Sequence, residues 1–384
     1  MRVGIDYRPA LVNREGIGRY TRELVRGMIE HGFDANLGLF GYTLRNKRFA
    51  HEELGLRGTR AELCRLPFPS RWVPRLLRMS SKGVDDLVGG ADVYHHTSYN
   101  RLEVRAAVEV CTLHDCIYLK EGSDYLDPGA AQRMGLAARE LAQRARRILV
   151  PSEFVGAEVV MHFGVYPNKV TVTHLGCDHM ARHIPPEGFA KAKDPYLLTV
   201  SRVDNRKNHV RMLHAFEGLV REGFPHRWIV AGPPGHGAEN FARALGDSPA
   251  RERVEWRRDV SEKELPGLYG KAALFLFASL NEGFGLPPLE AMVAGTPVLT
   301  SCVTSMPEVC GDAAWYCEPT DVERIFEGAR RILAEPEFAE DLILRGKQNA
   351  RRFTWRETAR HTLLAYKRAT EPEEEDAPKL RRSL

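Results

Sequence analysis

Two glutamates, Glu282 and Glu290, stand eight positions apart in the run Asn281-Glu282-Gly283-Phe284-Gly285-Leu286-Pro287-Pro288-Leu289-Glu290. Ionised carboxylates only accept hydrogen bonds, so such a pair suits a ligand rich in hydroxyl groups. Between them a glycine-rich turn leads into Pro287 and Pro288. Proline is favoured in the first turn of a helix, where its missing N–H costs nothing, and Gly295 is placed to end that helix. A helix start offers unpaired backbone N–H groups and a partial positive charge, which suit a phosphate. Gly283 and Gly285 let a ligand come close to the backbone. Phosphate donors beside hydroxyl acceptors are what a nucleotide-sugar requires.

A second constellation is basic: Ser201-Arg202-Val203-Asp204-Asn205-Arg206-Lys207-Asn208. Arg202 would grip a diphosphate in a planar, bidentate way and Lys207 would act as a point charge. A departing nucleoside diphosphate gains negative charge as its bond to the sugar breaks. Fixed cations at that place stabilise the transition state more than the ground state. The bland alternative is a solvated basic loop with a helix N-cap at Asn208, and it weakens beside the Glu282–Glu290 segment.

Weaker signals come from other loops. His114-Asp115 follows an apolar run, and a histidine there can hydrogen-bond a sugar hydroxyl or move a proton; the alternative is a ring bonded to a nearby carbonyl. His95-His96 ends another strand with less support. Gly16-Ile17-Gly18-Arg19 precedes a helical pattern and could admit a diphosphate or an acceptor, or be a plain helix-entry turn; it is not a complete dinucleotide fingerprint. The stretch Arg71 to Met79 interleaves Trp72, Leu76 and Leu77 with Arg71, Arg75 and Arg78. It reads first as a solvated helix with an apolar underside, and second as a patch that makes peripheral contact with an anionic membrane surface.

These loops need strands and helices to hold them. Strand-like runs are read at Arg2–Asp6, Asn36–Phe40, Asp92–His95, Val108–Leu113, Ile148–Pro151 and Val170–His174, with helical patterns at Ile17–Ile29, Ala130–Arg146 and Glu153–Phe163. A polar stretch, Pro185–Asp194, reads as a linker. The pattern restarts at Tyr196–Val200, followed by a helix with Val210, Leu213, Phe216 and Val220 on one face and by strands at Arg227–Ala231 and Ala273–Ala278. Ser261 and Glu264 fit a capping box before Leu265–Tyr269. Strands alternating with helices predict an α/β protein with parallel sheets covered on both faces. Ligands of such sheets bind beyond the carboxyl ends of the strands, where most of the motifs above fall. The expected layout is a first domain at 1–190, a second at 191–352, a crossing helix at 353–370 and a disordered tail at 371–384.

The bulk numbers agree with an ordinary globular protein. The chain has 384 residues, 43% hydrophobic and 28% charged, enough for two cores. A net charge of +4 gives no case for nucleic acid. The seven cysteines are scattered without CxxC spacing, which points to reduced thiols in a cytoplasmic setting. The chain opens on a strand-like run with no signal peptide visible, and no apolar run approaches the roughly 20 residues that span a bilayer. Asp-x-Asp, P-loop, His-Glu-x-x-His and Gly-x-Ser-x-Gly patterns are missing, so no metal or other cofactor is expected.

Taken together, the residues resemble the family 4 retaining glycosyltransferases, which share the two-domain GT-B fold: two Rossmann-like domains, each a doubly wound parallel sheet, facing across a cleft. The resemblance rests on Glu282–Glu290, on the block Ala291–Val298, and on Met306-Pro307-Glu308-Val309 and Gly311-Asp312-Ala313-Ala314. It also rests on Val150-Pro151-Ser152-Glu153-Phe154, on Thr173-His174-Leu175-Gly176-Cys177-Asp178, on the Arg202/Lys207 loop and on the stretch from Phe353 to Tyr366. It implies that the first domain binds the acceptor and the second the nucleotide-sugar. Arg202 and Lys207 would hold the donor diphosphate, Glu282 the sugar hydroxyls and Glu290 the ribose. Amides around Gly283, Phe284, Gly285 and Leu286 would face sugar and phosphates. His114 would lie near the transferred sugar, with Gly16 and Gly18 close to the diphosphate. It further implies retention of anomeric configuration without a metal, by front-face attack, and so no acid–nucleophile pair of the glycosidase kind.

The segment Glu282–Pro319 looks most like bacterial mannosyltransferases that use GDP-mannose in lipopolysaccharide or exopolysaccharide synthesis. UDP-glucose, UDP-galactose and UDP-N-acetylglucosamine stay open as donors, since the expected base-reading loop near Gly232–Gly237 has no pattern that decodes a base. The acceptor is expected to be a saccharide or a lipid-linked saccharide. An epimerase on the same fold and a non-catalytic nucleotide-sugar binder are the competing readings.

Overall fold

The computed structural model describes residues 1–372 apart from 14–15, 44–53, 55, 70–71 and 121. The charged tail expected to be disordered lies, from residue 373 on, outside the described residues.

The chain builds two parallel sheets. The first holds β1 (Val3–Asp6), β2 (Leu37–Tyr42), β3 (Glu62–Leu66), β4 (Val93–His96), β5 (Val108–Thr112), β6 (Arg147–Val150) and β7 (Val170–Val172), in the order β3-β2-β1-β4-β5-β6-β7. The second holds β8 (Tyr196–Val200), β9 (Arg227–Ala231), β10 (Val254–Arg257), β11 (Leu274–Phe277), β12 (Val298–Ser301) and β13 (Trp315–Cys317), in the order β10-β9-β8-β11-β12-β13. Every pairing is parallel. Each sheet therefore reverses its winding beside its first strand, β1 between β2 and β4 and β8 between β9 and β11. Crevices open there at the carboxyl ends of the strands. The α/β reading with two doubly wound sheets holds.

Central strands such as Val3–Asp6 and Leu274–Phe277 are buried on both faces, the second apolar throughout and the first apolar up to the buried Asp6 at its carboxyl end. Four strands were not read from the sequence: β12, interior and buried but only four residues long, and three of another kind. β3, β10 and β13 lie at sheet edges, are short and half-exposed, and carry charged or bulky polar residues such as Glu62, Arg65, Glu255 and Arg257. The expected capping box at Ser261 is only half made. Glu264 accepts from the Ser261 amide at 3.0 Å, but the Ser261 hydroxyl donates to the same carboxylate and caps no backbone N–H.

The helix Trp355–Thr370 leaves the second sheet and packs on Ile17–Glu30 of the first domain, so closely that a Cβ at Gly27 would lie 2.6 Å from the Trp355 carbonyl oxygen. His95 anchors it. The buried ring bonds the Tyr366 hydroxyl through Nδ1 at 2.7 Å and the Thr112 hydroxyl through Nε2 at 2.7 Å. Burial, aided by His96 and His114, lowers its pKa to about 3. His95 is thus a structural ring, and His96 is likewise occupied, by Glu109 at 3.0 Å.

Candidate active site

The turn after β8 and the turn after β11 are stitched together. The Leu280 amide donates to the Arg206 carbonyl at 2.9 Å, and the Arg206 guanidinium donates to the Asn281 carbonyl at 2.6 Å. Asp204 steadies the first turn by accepting from the Lys207 amide at 3.1 Å. Asn208 occupies the N-cap position of the next helix, His209–Arg221, with φ of 63°. Its side chain does not cap, and donates instead to the carbonyls of Ala278 and Pro319. This fixes three groups, Glu282 buried and Arg206 and Lys207 partly so. Glu282 accepts from Lys207 Nζ at 2.5 Å, from Arg206 Nη1 at 3.1 Å and from the Ser279 hydroxyl at 2.6 Å. Burial alone would raise the Glu282 pKa; Lys207 and Arg206 outweigh it and the carboxyl sits below its ordinary value. Burial and the neighbouring Arg206 lower the Lys207 ammonium. Arg202 stands apart from this cluster, exposed, with its stem against Gly235. The cation beside Lys207 is Arg206, a neighbour that the sequence displayed without marking.

Glu290 is held differently. It lies on the helix Leu286–Val293, which Gly285 opens with φ of 121° and Gly295 follows with φ of 76°. Its carboxylate accepts from Arg19 Nη1, from His179 Nε2 at 3.0 Å and from the Tyr269 hydroxyl at 2.7 Å. Burial pushes its pKa up, but Arg19, His179 and Tyr269 together bring it down to about 2. Arg19 comes from the first domain, His179 from the segment between the sheets, and Tyr269 from the second domain. Beside this knot opens a cavity of about 350 Å³ lined by Arg19, Arg22, His179, Ser261, Glu262 and Lys263. Arg22 donates to Glu262 across its mouth at 2.9 Å.

The first domain closes over the Glu282 turn. A Cβ at Gly283 would lie 2.0 Å from the His114 carbonyl oxygen and 3.2 Å from the Asp115 Cβ. The glycine therefore serves close contact between domains, where the sequence suggested room for a ligand. The amide N–H groups of Gly283, Phe284, Gly285 and Leu286 have no acceptor among the described residues. They form an anion-ready end on the helix. Ser152 caps the helix Glu153–Phe163 by accepting from the Val155 amide at 3.2 Å, and donates to the Gly283 carbonyl at 2.7 Å. Glu308 accepts from the amides of Glu153 and Phe154 and pairs with His174 at 2.8 Å. Three blocks that the sequence offered as family markers, Val150–Phe154, Thr173–Asp178 and Met306–Val309, thus lock the domains together.

His114 Nε2 donates to the Thr97 carbonyl at 3.0 Å, which fixes the tautomer because a carbonyl only accepts. The Tyr20 ring meets it edge-on at 4.8 Å. Burial lowers its pKa to about 4, so the ring is neutral at physiological pH. Asp115 beside it is half-buried and its pKa is pushed up by desolvation, opposed by Arg206 and Lys207 across the cleft. Gly16 starts the helix Ile17–Glu30 with φ of 51°, and Gly18 lies against the Asn13 carbonyl. The turn places Arg19 on Glu290 and Tyr20 on His114, so it does stand at the cleft. The Gly232–Gly237 loop pairs with the Arg202–Asn205 turn, Gly235 donating to the Val203 carbonyl at 2.7 Å.

The sequence missed Arg19 as a partner, and His179 and Tyr269 altogether. His179 lies 111 residues and Arg19 271 residues from Glu290, so no local spacing could reveal them. Among the described residues, no group of three or more His, Cys, Asp or Glu is placed to hold a metal.

Comparison with known proteins adds to this geometry. Residues 14–180 match the family described as Glycosyltransferase Family 4, and residues 182–349 the one described as Glycosyl transferases group 1. The O-antigen chain mannosyltransferase B of Escherichia coli is 30% identical over 72% of this chain and 74% of its own. The serotype-specific mannosyltransferase WbdA of Escherichia coli is 28% identical over 69% of this chain, which covers 34% of that longer protein. Among solved structures, sucrose-phosphate synthase from Thermosynechococcus elongatus superposes with a TM-score of 0.73 at 16% identity, covering 96% of this chain and 98% of that one. The Anabaena protein HepE in complex with UDP and glucose gives 0.73 at 14% identity, covering 96% and 100%.

Proposed function

The chain belongs to the family 4 glycosyltransferases and has the GT-B fold, and from that premise we propose that it moves mannose from GDP-mannose to a saccharide or lipid-linked saccharide in cell-surface polysaccharide synthesis, in the cytoplasm. The transfer reading is carried by the cluster of Lys207, Arg206 and Glu282 facing His114 across a closed cleft. The choice of mannose is carried by likeness to proteins named as O-antigen mannosyltransferases.

In this reading Lys207 and Arg206, with Arg202 at the rim, meet the diphosphate, helped by the amides of Gly283 to Leu286. Glu282 accepts from hydroxyls of the mannose. Glu290 accepts from a ribose hydroxyl: a carboxylate offers about four acceptor sites and three are occupied, leaving one on Oε2. The nucleoside then extends into the cavity beside Arg19 and Glu262. The bond from the anomeric carbon to the diphosphate breaks and one to the acceptor oxygen forms on the same face. The acceptor proton passes to the leaving phosphate oxygen. Neutral His114, its Nε2 proton held by the Thr97 carbonyl, accepts a hydrogen bond from a sugar hydroxyl at Nδ1 without adding charge. The step needs no metal, since the fixed cations and amides meet the developing anion. Closure at Gly283 keeps water from the reacting centre.

The test is incubation of purified protein with radiolabelled GDP-mannose and a lipid-linked acceptor, with and without EDTA. Transfer that retains configuration and survives EDTA is expected. Donor binding with no transfer to any acceptor would favour a non-catalytic binder. A thermal-shift panel of GDP, UDP and ADP with their sugars tests the base separately, because a ligand that binds only the native form raises its apparent stability. A shift with UDP and none with GDP would move the assignment to a UDP-sugar.

A further inference from the structure

The short helix Val73–Met79 turns an apolar face outward. Val73 and Leu77 are buried in a cluster with Phe40, Tyr42, Val84 and Leu102, which fixes the helix on the first domain. On its other side Trp72 and Leu76 are each 46% exposed and Met79 is 86% exposed. Phe68, one turn earlier, is 45% exposed, and the Trp72 amide donates to the Pro69 carbonyl, holding that turn to the helix. Positions 72, 76 and 79 share one helical face. The other exposed large apolar residues among those described, such as Met161, Tyr166 and Leu344, are spread along the chain, so this is the one segment where such residues gather.

Charge selects the partner. From residue 63 to residue 84 the sequence has no Asp or Glu. Arg65, Arg75, Arg78 and Lys82 are all exposed, and Arg75, Arg78 and Lys82 make no ion pair among the described residues. Large apolar side chains ringed by cations fit an interface that is apolar below and anionic above. That is the chemistry of an acidic phospholipid surface, where apolar groups enter the acyl boundary and each cation meets a headgroup. The position also makes sense for an enzyme. The same apolar cluster contains Tyr42 at the carboxyl end of β2, and the Arg8 guanidinium lies 4.9 Å over the Tyr42 ring. Asp6, Ser98 and His114 stand at that end of the sheet, so the patch flanks the acceptor side of the cleft. Among the described residues no helix is long and apolar enough to cross a membrane, so contact here would be peripheral.

We propose that the face formed by Phe68, Trp72, Leu76 and Met79, with Arg75, Arg78 and Lys82, docks on an anionic lipid surface and sets the cleft mouth toward acceptors held there. The inference concerns where the enzyme works and is independent of which sugar it moves. The test is flotation of the full chain with vesicles of phosphatidylcholine alone and of phosphatidylcholine mixed with phosphatidylglycerol. Binding to the mixed vesicles is expected to exceed that to the neutral ones by at least about tenfold and to fall with added salt. The pair Leu76→Ser and Met79→Ser changes only exposed positions, so circular dichroism and Tm should stay as in the wild type while flotation is lost. The pair Arg75→Glu and Arg78→Glu should lose binding to anionic vesicles by on the order of twentyfold or more. No binding by the wild-type chain to either vesicle, or unchanged binding by both variants, overturns the proposal. Self-association of the wild type that the serine pair abolishes would assign the face to a second copy, and overturns it too. Because the readout is vesicle binding, its failure is distinct from a failure of the mannose reading.

Discussion

Glu282 takes its hydrogen-bond partners from within one domain: Lys207, Arg206 and Ser279, all on loops at the carboxyl ends of β8 and β11. Glu290, eight residues on in the same motif, takes Arg19 from the opposite domain and His179 from the segment between them, and only Tyr269 from its own. One carboxylate is held by side chains of its own lobe alone. The other has its present set of partners only with the two lobes in contact. In the function proposed above, the contrast gives different work to two residues that look equivalent in sequence: Glu282 would serve the transfer step, and Glu290 would couple nucleoside binding to closure.

The largest expected effect breaks the bridging half. Glu290→Ala removes the counter-charge of a buried guanidinium, and breaking such a pair costs about 3–5 kcal/mol. Glu262, 3.7 Å from Arg19, should hold the loss to the lower end. Urea denaturation measures it, and small-angle scattering should show a more open particle. Glu282→Ala also strands partly buried cations, but both lie in the same domain, so it should leave scattering unchanged. A fully closed and stable Glu290→Ala protein would remove the distinction.

Next comes the transfer half. Lys207→Ala should lose at least about 2 kcal/mol of transition-state stabilisation, roughly thirtyfold in kcat/KM, as expected when a charge-assisted contact to a developing anion goes. Arg206→Ala should behave alike because it shares the same carboxylate. Arg202→Ala should cost less, its side chain standing at the rim. Wild-type turnover by the Lys207 variant would sink the phosphate role.

The acid limb of stability sharpens the comparison through linkage. His95 and His209 are buried with pKa lowered to about 3, and His114 to about 4, chiefly by desolvation. Below their ordinary value of 6.5 the unfolded chain binds protons that the folded chain refuses, so stability falls as pH drops from 6.5 toward those values. Glu290, lowered from 4.5 to about 2, contributes stability that is complete above 4.5 and lost as pH falls toward 2. Denaturation from pH 7 to pH 3.5 should therefore show two slopes. Glu290→Gln should flatten only the part below about pH 4.5 and leave the histidine part in place.

These differences also measure how far the sequence could be read. The central strands other than the short β12, and the helix between Pro287 and Gly295, were legible because burial on both faces and capping residues leave local patterns. Lys207 was legible because charge right after an apolar strand is unusual, and Arg206 was hidden only by standing next to it. Arg19, His179 and Tyr269 were not legible, since they reach Glu290 through the folded chain and carry no spacing of their own. Edge strands such as β3 and β10 escaped because charge and exposure erase the alternation that marks a strand. Gly283 was legible as special for a reason that proved different: what comes close to it is the His114 carbonyl.

The smallest expected effect tests whether closure matters apart from Glu290. The Ser152 hydroxyl does two things at once, accepting from the Val155 amide as a helix cap and donating to the Gly283 carbonyl across the cleft. Ser152→Ala loses both, and the cap alone is worth about 1 kcal/mol. Ser152→Thr keeps a hydroxyl in the same place and should restore both. Ser152→Asp keeps an acceptor for the Val155 amide but, ionised, has no proton for Gly283. If the contact with Gly283 shapes the active turn, the Asp variant should recover most of the Tm lost in the Ala variant while its kcat stays several-fold low. Equal recovery of Tm and kcat by Asp would mean that Ser152 acts only as a cap, and that closure over the Glu282 turn is secured by Glu308 and Glu290 without it.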